Sequence, residues 1–284
     1  MKAVLYPNFQ KPNALVCARN VCDVLESAGI EVSVSGLFRE DFSDKPFVKF
    51  EDISVSAETA DFVIAIGGDG TILRCAKFLM GTDTKLLGIN TGTLGFMAGL
   101  EADQLDKLKL LAEGEYEISE RMTLDVVHHG IDGDSVRTAL NEVSARSSNF
   151  SIGDFDVYSN DYLVGKYRAD GVLFSTPSGS TAYALSAGGP IIEPDLECIE
   201  MTLLSPHSLF SRTTLFSAGK HLRLMNVSSR EGKLAIHVDG ERFAELEKND
   251  FIEICRGKHN VKFVNLIGNS FHESLVRKMC KPIK

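Results

Sequence analysis

Asp61-Phe62-Val63-Ile64-Ala65-Ile66-Gly67-Gly68-Asp69-Gly70-Thr71 decides the fold. Asp61–Ile66 is a nearly continuous apolar run, the pattern of a central parallel strand covered on both faces. It enters a Gly-rich turn with no spacer, and Ile72, Leu73, Ala76, Leu79 and Met80 then recur at helical spacing over Ile72–Met80. Strand, Gly-rich turn and helix in this order form the ligand-binding corner of a parallel sheet. Three glycines let backbone amides approach an anion, and the helix start adds favourable partial charge. Asp69 admits two readings. A carboxylate beside a phosphate nest can take a proton from a substrate hydroxyl or hold a phosphate-bridging Mg²⁺. It can equally form an Asx-turn or cap the helix.

The pattern extends in both directions. Lys2–Tyr6 reads as a strand, Asn13–Ala28 as a helix closed by Gly29, Ile30–Val34 as a strand, and Leu86–Ile89 as another. Ser35–Ala57 has no clear period. A short helix is expected near Leu105–Glu113. This alternation implies a three-layer α/β domain with a parallel sheet. Beyond it come many short β-rich runs separated by Gly, Asn, Asp and Ser, from Leu124–His128 to Val261–Val264, which imply an antiparallel β-sandwich. One helix, Ser180–Ala187, interrupts them, and Ser270–Met279 reads as a terminal helix. The expected division is an α/β domain over 1–100 and a β-sandwich domain over 101–267.

With 284 residues, a sizeable core needs no metal or disulfide staple. Thirty Lys plus Arg against 39 Asp plus Glu give a net charge of −9, which argues against a general nucleic-acid binder. No apolar run approaches the roughly 18–20 residues that span a bilayer, so no membrane partner is expected. The run at Met1–Tyr6 stops at Pro7 and reads as a first strand rather than a signal-peptide core. None of the six cysteines, Cys17, Cys22, Cys75, Cys198, Cys255 and Cys280, falls in a CxxC pair. Buried free thiols and a cytoplasmic location are expected, with no structural metal site.

Two familiar phosphate motifs are absent. The Gly-Lys pairs at Gly165, Gly219, Gly232 and Gly257 are followed by Tyr, His, Leu and His, so no P-loop exists. Leu73 stands where a dinucleotide fingerprint needs its third glycine. A second informative stretch runs from Arg168-Ala169-Asp170-Gly171 through Ser175-Thr176-Pro177-Ser178-Gly179-Ser180-Thr181-Ala182-Tyr183. Its hydroxyls and helix-start amides can bond a base or phosphate, and Tyr183 can stack on a base. A Ser/Thr-rich helix start is also common for structural reasons. Asn141-Glu142 follows an apolar pair and could meet ribose hydroxyls.

Together with Asn90-Thr91-Gly92-Thr93-Leu94-Gly95-Phe96, Gly188-Gly189-Pro190, Ser205-Pro206-His207-Ser208-Leu209 and Val238-Asp239-Gly240-Glu241, these segments resemble the NAD kinase family over most of the chain. The GGDGT stretch alone is shared with phosphofructokinases and lipid kinases, whereas the Thr176–Tyr183 segment with Asn141-Glu142 upstream is far more specific. The resemblance implies an α/β domain, a β-sandwich, and a terminal helix (268–284) returning to the first domain. It implies transfer of the ATP γ-phosphate to the 2′-hydroxyl of the adenosine ribose of NAD, with Mg²⁺ carried by ATP. Asp69 would serve as base or orienting group, with Gly68, Gly70 and Thr71 around the phosphates and Phe96 lining the cleft. Asn141 and Glu142 would bind adenosine and ribose. Ser178, Thr181 and Ala182 would contact the base, with Tyr183 stacking on it. Asp170, with Arg168 before it and Asp239, would meet the nicotinamide end. A homodimer or homotetramer is the assembly the resemblance implies.

Other readings are a lipid kinase, which would need an apolar groove and a membrane-docking surface, and an NAD sensor that has lost catalysis. Retention of Asp69, Asn141 and Glu142 together speaks against the sensor. His128-His129 with Asp132 and Asp134 reads as a solvated hairpin loop rather than a metal cluster. Ser180 lacks a G-x-S-x-G elbow, which excludes that hydrolase class.

Overall fold

The computed structural model describes residues 1–11, 13–92, 95–130, 133–148, 152–228, 232–266, 268 and 271–279. Thr93, Leu94, Asp132, Ser270 and Cys280, named above, lie outside the described residues.

Strand β1 (Lys2–Pro7) opens the first unit with Ala3, Val4 and Leu5 fully buried. Helix α1 (Ala14–Ser27) buries Cys17, Ala18, Val21, Cys22 and Leu25, one stripe at helical spacing. It ends as the sequence predicts. Gly29, at φ 71°, donates to Glu26 O, and Ile30 N donates to Leu25 O, both at 2.9 Å. That pair of bonds is a Schellman motif, and its left-handed residue favours glycine. There follow β2 (Glu31–Ser35), β3 (Lys49–Glu51), α2 (Ile53–Thr59), β4 (Phe62–Gly67), α3 (Asp69–Ala76) and β5 (Lys85–Asn90). The short strand β6 (Leu100–Glu101), a 3₁₀ turn at Leu105–Lys109 running into α4 (Leu110–Glu113), and β7 (Glu117–Arg121) complete this part. All six residues of β4 are buried, as expected for a strand with both faces covered.

The middle of the chain is antiparallel. Its strands are β8 (Leu124–Gly130), β9 (Gly133–Ala139), β10 (Glu142–Ser147), β11 (Gly153–Ser159), β12 (Tyr162–Ala169) and β13 (Gly171–Ser175). After α5 (Tyr183–Ser186) come β14 (Cys198–Leu204), β15 (Thr214–Ser217), β16 (Leu222–Asn226), β17 (Leu234–Val238), β18 (Glu241–Leu246) and β19 (Phe251–Arg256). One sheet has the order β15-β14-β13-β10-β17-β18 and the other β12-β11-β16-β19-β8-β9. Val143, Phe174, Met201 and Ile236 from the first meet Leu124, Phe155, Leu224 and Ile254 from the second in one core. Each is nearly fully buried, and each contributes about 1.5–3 kcal/mol by leaving water.

Strand β20 (Val261–Asn265) and helix α6 (Phe271–Met279) then return to the first unit. The first sheet has the order β3-β2-β1-β4-β5-β20-β7, with β6 also on β5. Its pairs β1–β2, β1–β4, β4–β5 and β5–β20 are parallel. The compact units are Met1–Glu120 with Val261–Lys284, and Arg121–Asn260.

Three expectations change. Val261–Val264, read with the sandwich strands, pairs through Phe263 with Leu86 in the first sheet. The expected helix Ser180–Ala187 is a 3₁₀ turn at Gly179–Thr181 followed by the single turn of α5, because Ala182 departs from helical backbone at φ −102°, ψ −123°. The strand expected at Leu124–His128 runs on to Gly130, so His129 lies on β8 rather than in a loop, opposite Asp134 of β9. His129 Nδ1 stands 2.8 Å from Asp134 Oδ1, and that hydrogen bond is the main cause raising the imidazole pKa.

Candidate functional site

Each unit carries one part of the expected site. In the first, Gly68 is the N-cap of α3 in extended conformation, so the chain turns from β4 into the helix within one residue. The amides of Thr71 and Ile72 are spent on Gly68 O, at 2.8 and 3.2 Å. Asp69 is the first helical residue, and it does not cap its own helix. Its Oδ2 accepts from Phe96 N at 2.9 Å and its Oδ1 from Met97 N at 3.1 Å. The carboxylate thus anchors the segment after β5, which the sequence reading had joined to it only by resemblance. Gly95 is required there, since a Cβ would overlap the Asp69 carboxylate. Thr71 is buried and its hydroxyl accepts from Asn8 Nδ2 at 3.1 Å, tying the GGDGT turn to the end of β1. Gly68, Asp69, Thr71 and Phe96 are therefore assembled around one turn, and Gly70 is exposed beside them. Met97 was not foreseen; a main-chain donor has no signature in sequence.

In the second unit Asp239 is the organiser. It sits at φ 48° in the turn between β17 and β18 and is 9% exposed. Its Oδ2 accepts from Leu140 N at 2.9 Å, and its Oδ1 accepts from Asn141 N at 2.8 Å and Glu142 N at 3.1 Å. Asp239 N in turn donates to Glu142 O at 2.9 Å. This clamp holds the segment between β9 and β10. The same segment is locked from the other side by Thr176, whose hydroxyl donates to Leu140 O at 2.6 Å and whose amide donates to Asn141 O at 2.9 Å. Gly179 packs so close to the Asn141 carbonyl that any Cβ would overlap it.

Two side-chain acceptors remain. Asn141 Oδ1 and Glu142 Oε2 are buried without a hydrogen-bond partner among the described residues. Burial, and secondarily the charge of Asp239, push the Glu142 carboxyl up from 4.5 to about 7. Glu142, Ser175 and Glu200 stand opposite one another across β10, β13 and β14, so their side chains share a face. Glu200 was missed by sequence reasoning, as one acid in an apolar strand. It is fully buried, accepts from Thr202 Oγ1 at 2.7 Å, and has its carboxyl raised by burial.

Ser178, Thr181, Ala182 and Tyr183 are half-buried on the turn leading into α5, and Thr181 Oγ1 donates to Ser178 O at 3.2 Å. Ser180 is internal: its hydroxyl donates to Pro177 O at 2.6 Å and accepts from Ile192 N at 3.0 Å. Arg168 and Asp170 are exposed at the β12–β13 junction, where Arg168 Nε lies 3.5 Å from Asp154 Oδ1. His207 N donates to Arg168 O at 2.9 Å. Among the described residues no group of three or more His, Cys, Asp or Glu could hold a metal ion.

The raised Glu142 pKa has a measurable sign. The unfolded chain releases this proton near the ordinary value and the folded chain only near 7, so the folded state binds more protons in between. Stability falls as pH rises from about 4.5 to 7 and then levels off. Glu142→Gln is expected to remove that fall and gain up to about 3 kcal/mol on wild type between pH 5 and 8. Urea melts at the two pH values read it; parallel curves would mean that Glu142 ionises normally.

The chain matches the family models for the ATP-NAD kinase N-terminal domain over residues 4–116 and the ATP-NAD kinase C-terminal domain over residues 140–266. It is 34% identical to an NAD kinase of Corynebacterium diphtheriae, over 100% of this chain and 92% of that protein. It is 32% identical to an NAD kinase of Christiangramia forsetii, over 98% of this chain and 97% of that protein. Among solved structures, a yeast NADH kinase complexed with NADH superposes with a TM-score of 0.90 at 22% identity, covering 100% of this chain and 89% of that one. An Archaeoglobus fulgidus NAD kinase in complex with ATP gives 0.75 at 23% identity, covering 98% of both chains. These two likenesses speak for the fold.

Proposed function

The chain belongs to the ATP-NAD kinase family, and from that premise we propose that it transfers the γ-phosphate of ATP to the 2′-hydroxyl of the adenosine ribose of NAD, giving NADP. The observation that carries the reading to particular residues is the pair of buried acceptors, Asn141 Oδ1 and Glu142 Oε2, lacking partners among the described residues. Leaving such groups unmade costs about 1–3 kcal/mol each, and the vicinal hydroxyls of a ribose would satisfy both. Ionised Glu142 is the better acceptor, so NAD is expected to bind more tightly above pH 7.

In this reading Asp69 orients the 2′-hydroxyl and accepts its proton late in a loose transition state, where positioning matters more than basicity. Gly68, Gly70 and Thr71 surround the phosphates, and Phe96 lines the site. Mg²⁺ arrives with ATP, held mainly by phosphate oxygens and water. Ser178, Thr181 and Ala182 meet the adenine, with Tyr183 stacking on it. Arg168, Asp170 and the turn at Asp239 serve the nicotinamide end.

The free thiols of Cys17, Cys22 and Cys75 are buried, with burial raising the first two to about 11 and about 12, which favours a reducing cytoplasmic setting. A homodimer or homotetramer is proposed, symmetric pairing being the commonest assembly.

Incubation of the purified protein with Mg-ATP and NAD, with NADP as the readout, tests the activity; NAD binding without turnover would favour a sensor. Tyr183→Ala tests the adenine contact. It should raise KM for NAD about 5- to 100-fold, the scale of one base–aromatic stack, and raise KM for ATP much less. Equal losses for both substrates would make Tyr183 a packing residue.

A further inference from the structure

The two faces of β14 differ in kind. Ile199, Met201 and Leu203 enter the sandwich core, so strand alternation turns Cys198, Glu200 and Thr202 to the other face. Glu200 is fully buried there. A chain of hydroxyls fixes its Oε1: Thr202 Oγ1 donates to it at 2.7 Å and lies 2.9 Å from Thr213 Oγ1. Its Oε2 is buried without a hydrogen-bond partner among the described residues, an unfavourable state for a carboxyl. Polar groups kept at a cost in stability mark functional or strained sites. The strand itself gives no reason for an acid at this position; the segment that the acid touches does.

That segment is the end of the turn carrying Ser178, Thr181 and Tyr183. Helix α5 closes in a Schellman motif, with Gly188 N donating to Leu185 O at 3.0 Å and Gly189 N to Ala184 O at 2.9 Å. The two glycines are needed for different reasons. Gly188 is left-handed, at φ 89°. Gly189 is not, but a Cβ there would overlap Glu200 Oε1; the next contact of such a Cβ, Ala184 O at 3.0 Å, is tight rather than forbidding. The oxygen that Thr202 fixes is thus the surface on which Gly189 rests. The start of the segment is pinned elsewhere, by Thr176 to Leu140 O and Asn141 O and by Ser180 to Pro177 O and Ile192 N. Between these anchors and Gly189 stands Tyr183, the first residue of α5.

We propose that Glu200 is a positioning residue for the acceptor pocket: its Oε1, oriented by Thr202, supports Gly189 and thereby fixes the end of α5 and sets Tyr183 against the adenine of NAD. The inference rests on the reading above for Tyr183. It involves nothing on the phosphate-donor side, so its effects should fall on NAD alone.

A double-mutant cycle tests it, read by steady-state kinetics and by hydrogen exchange of peptides spanning residues 183–189. In the wild-type background Gly189→Ala should speed that exchange and raise KM for NAD about tenfold, with kcat and KM for ATP within about twofold. In the Glu200→Ala background the same change should raise KM for NAD less than about threefold, because the oxygen that the methyl group would meet is gone; coupling of this size is expected of residues in contact. Glu200→Gln retains Oε1 and should keep the wild-type KM, whereas Thr202→Val leaves the carboxyl unoriented and should raise it about threefold or more, the scale of one hydrogen bond. Equal effects of Gly189→Ala in the two backgrounds, or kcat and both KM values changing together, would overturn the proposal. Should Gly189→Ala not fold, Glu200→Gln against Thr202→Val decides. The kinase reading fails separately, if wild type makes no NADP from ATP and NAD, and the exchange cycle then still decides whether Glu200 sets Gly189. An active enzyme in which Tyr183→Ala raises KM for NAD but the cycle shows no coupling removes only the role of Glu200.

Discussion

Asp69→Asn is expected to lower kcat for NAD phosphorylation by about 10²–10⁴, the usual cost of removing a positioned proton acceptor. The side chain is nearly isosteric, so the fold should survive, but the change is not silent for the backbone. Both carboxylate oxygens of Asp69 accept main-chain amides, from Phe96 and Met97. An amide side chain retains one acceptor and turns a donor toward the other N–H. The loop after β5 should therefore loosen, with a loss of about 1–3 kcal/mol, and KM for NAD should rise a few-fold through Phe96. Steady-state rates at saturating substrate, beside a thermal melt, separate the two effects. A folded variant with near wild-type kcat would leave Asp69 only the task of anchoring that loop.

Asp239→Ala should have the largest effect on stability, about 3–5 kcal/mol. Three buried amides, of Leu140, Asn141 and Glu142, lose their acceptor at once, and each unsatisfied group costs about 1–3 kcal/mol before relaxation. The variant also removes the charge that is the second cause of the raised Glu142 pKa, so that carboxyl should titrate below 7 in whatever folded fraction remains. Urea denaturation measures the first effect. A loss under about 1 kcal/mol would show that water replaces the carboxylate and that the clamp is dispensable. Asp239→Asn keeps the Oδ1 pattern and should fall between the two.

The first unit was legible wherever a signal is local. Phe62–Ile66 running into Gly67–Thr71 gave strand, turn and helix, and Gly29 gave the stop of α1. At the candidate site the sequence offers names without geometry. Asn141 and Glu142 stand out in the sequence, yet the carboxylate that fixes them comes from Asp239, nearly a hundred residues on. In sequence that residue is only an Asp-Gly turn. Ser180–Ala187 has helical spacing, but the Ser180 hydroxyl is bound to Pro177 O and Ile192 N, and Ala182 breaks the turn. Tertiary bonding overrode a weak local preference. Val261–Val264 resembles the sandwich strands before it, because a short β-rich run carries no record of which sheet it joins.

That last strand has a consequence for biosynthesis. β5 and β7 are translated early, but the strand between them, β20, follows roughly 140 residues of the second unit. At about 5–20 residues per second, synthesis of that insertion takes roughly 7–30 s. During this interval β5 has only the two-residue β6 beside the end of its outer edge, and the rest of that edge is open to pairing with another chain. The second unit, contiguous from Arg121 to Asn260, can mature in the meantime. Translation therefore favours an inside-out order, with the insertion completed before the scaffold that carries GGDGT closes around β20.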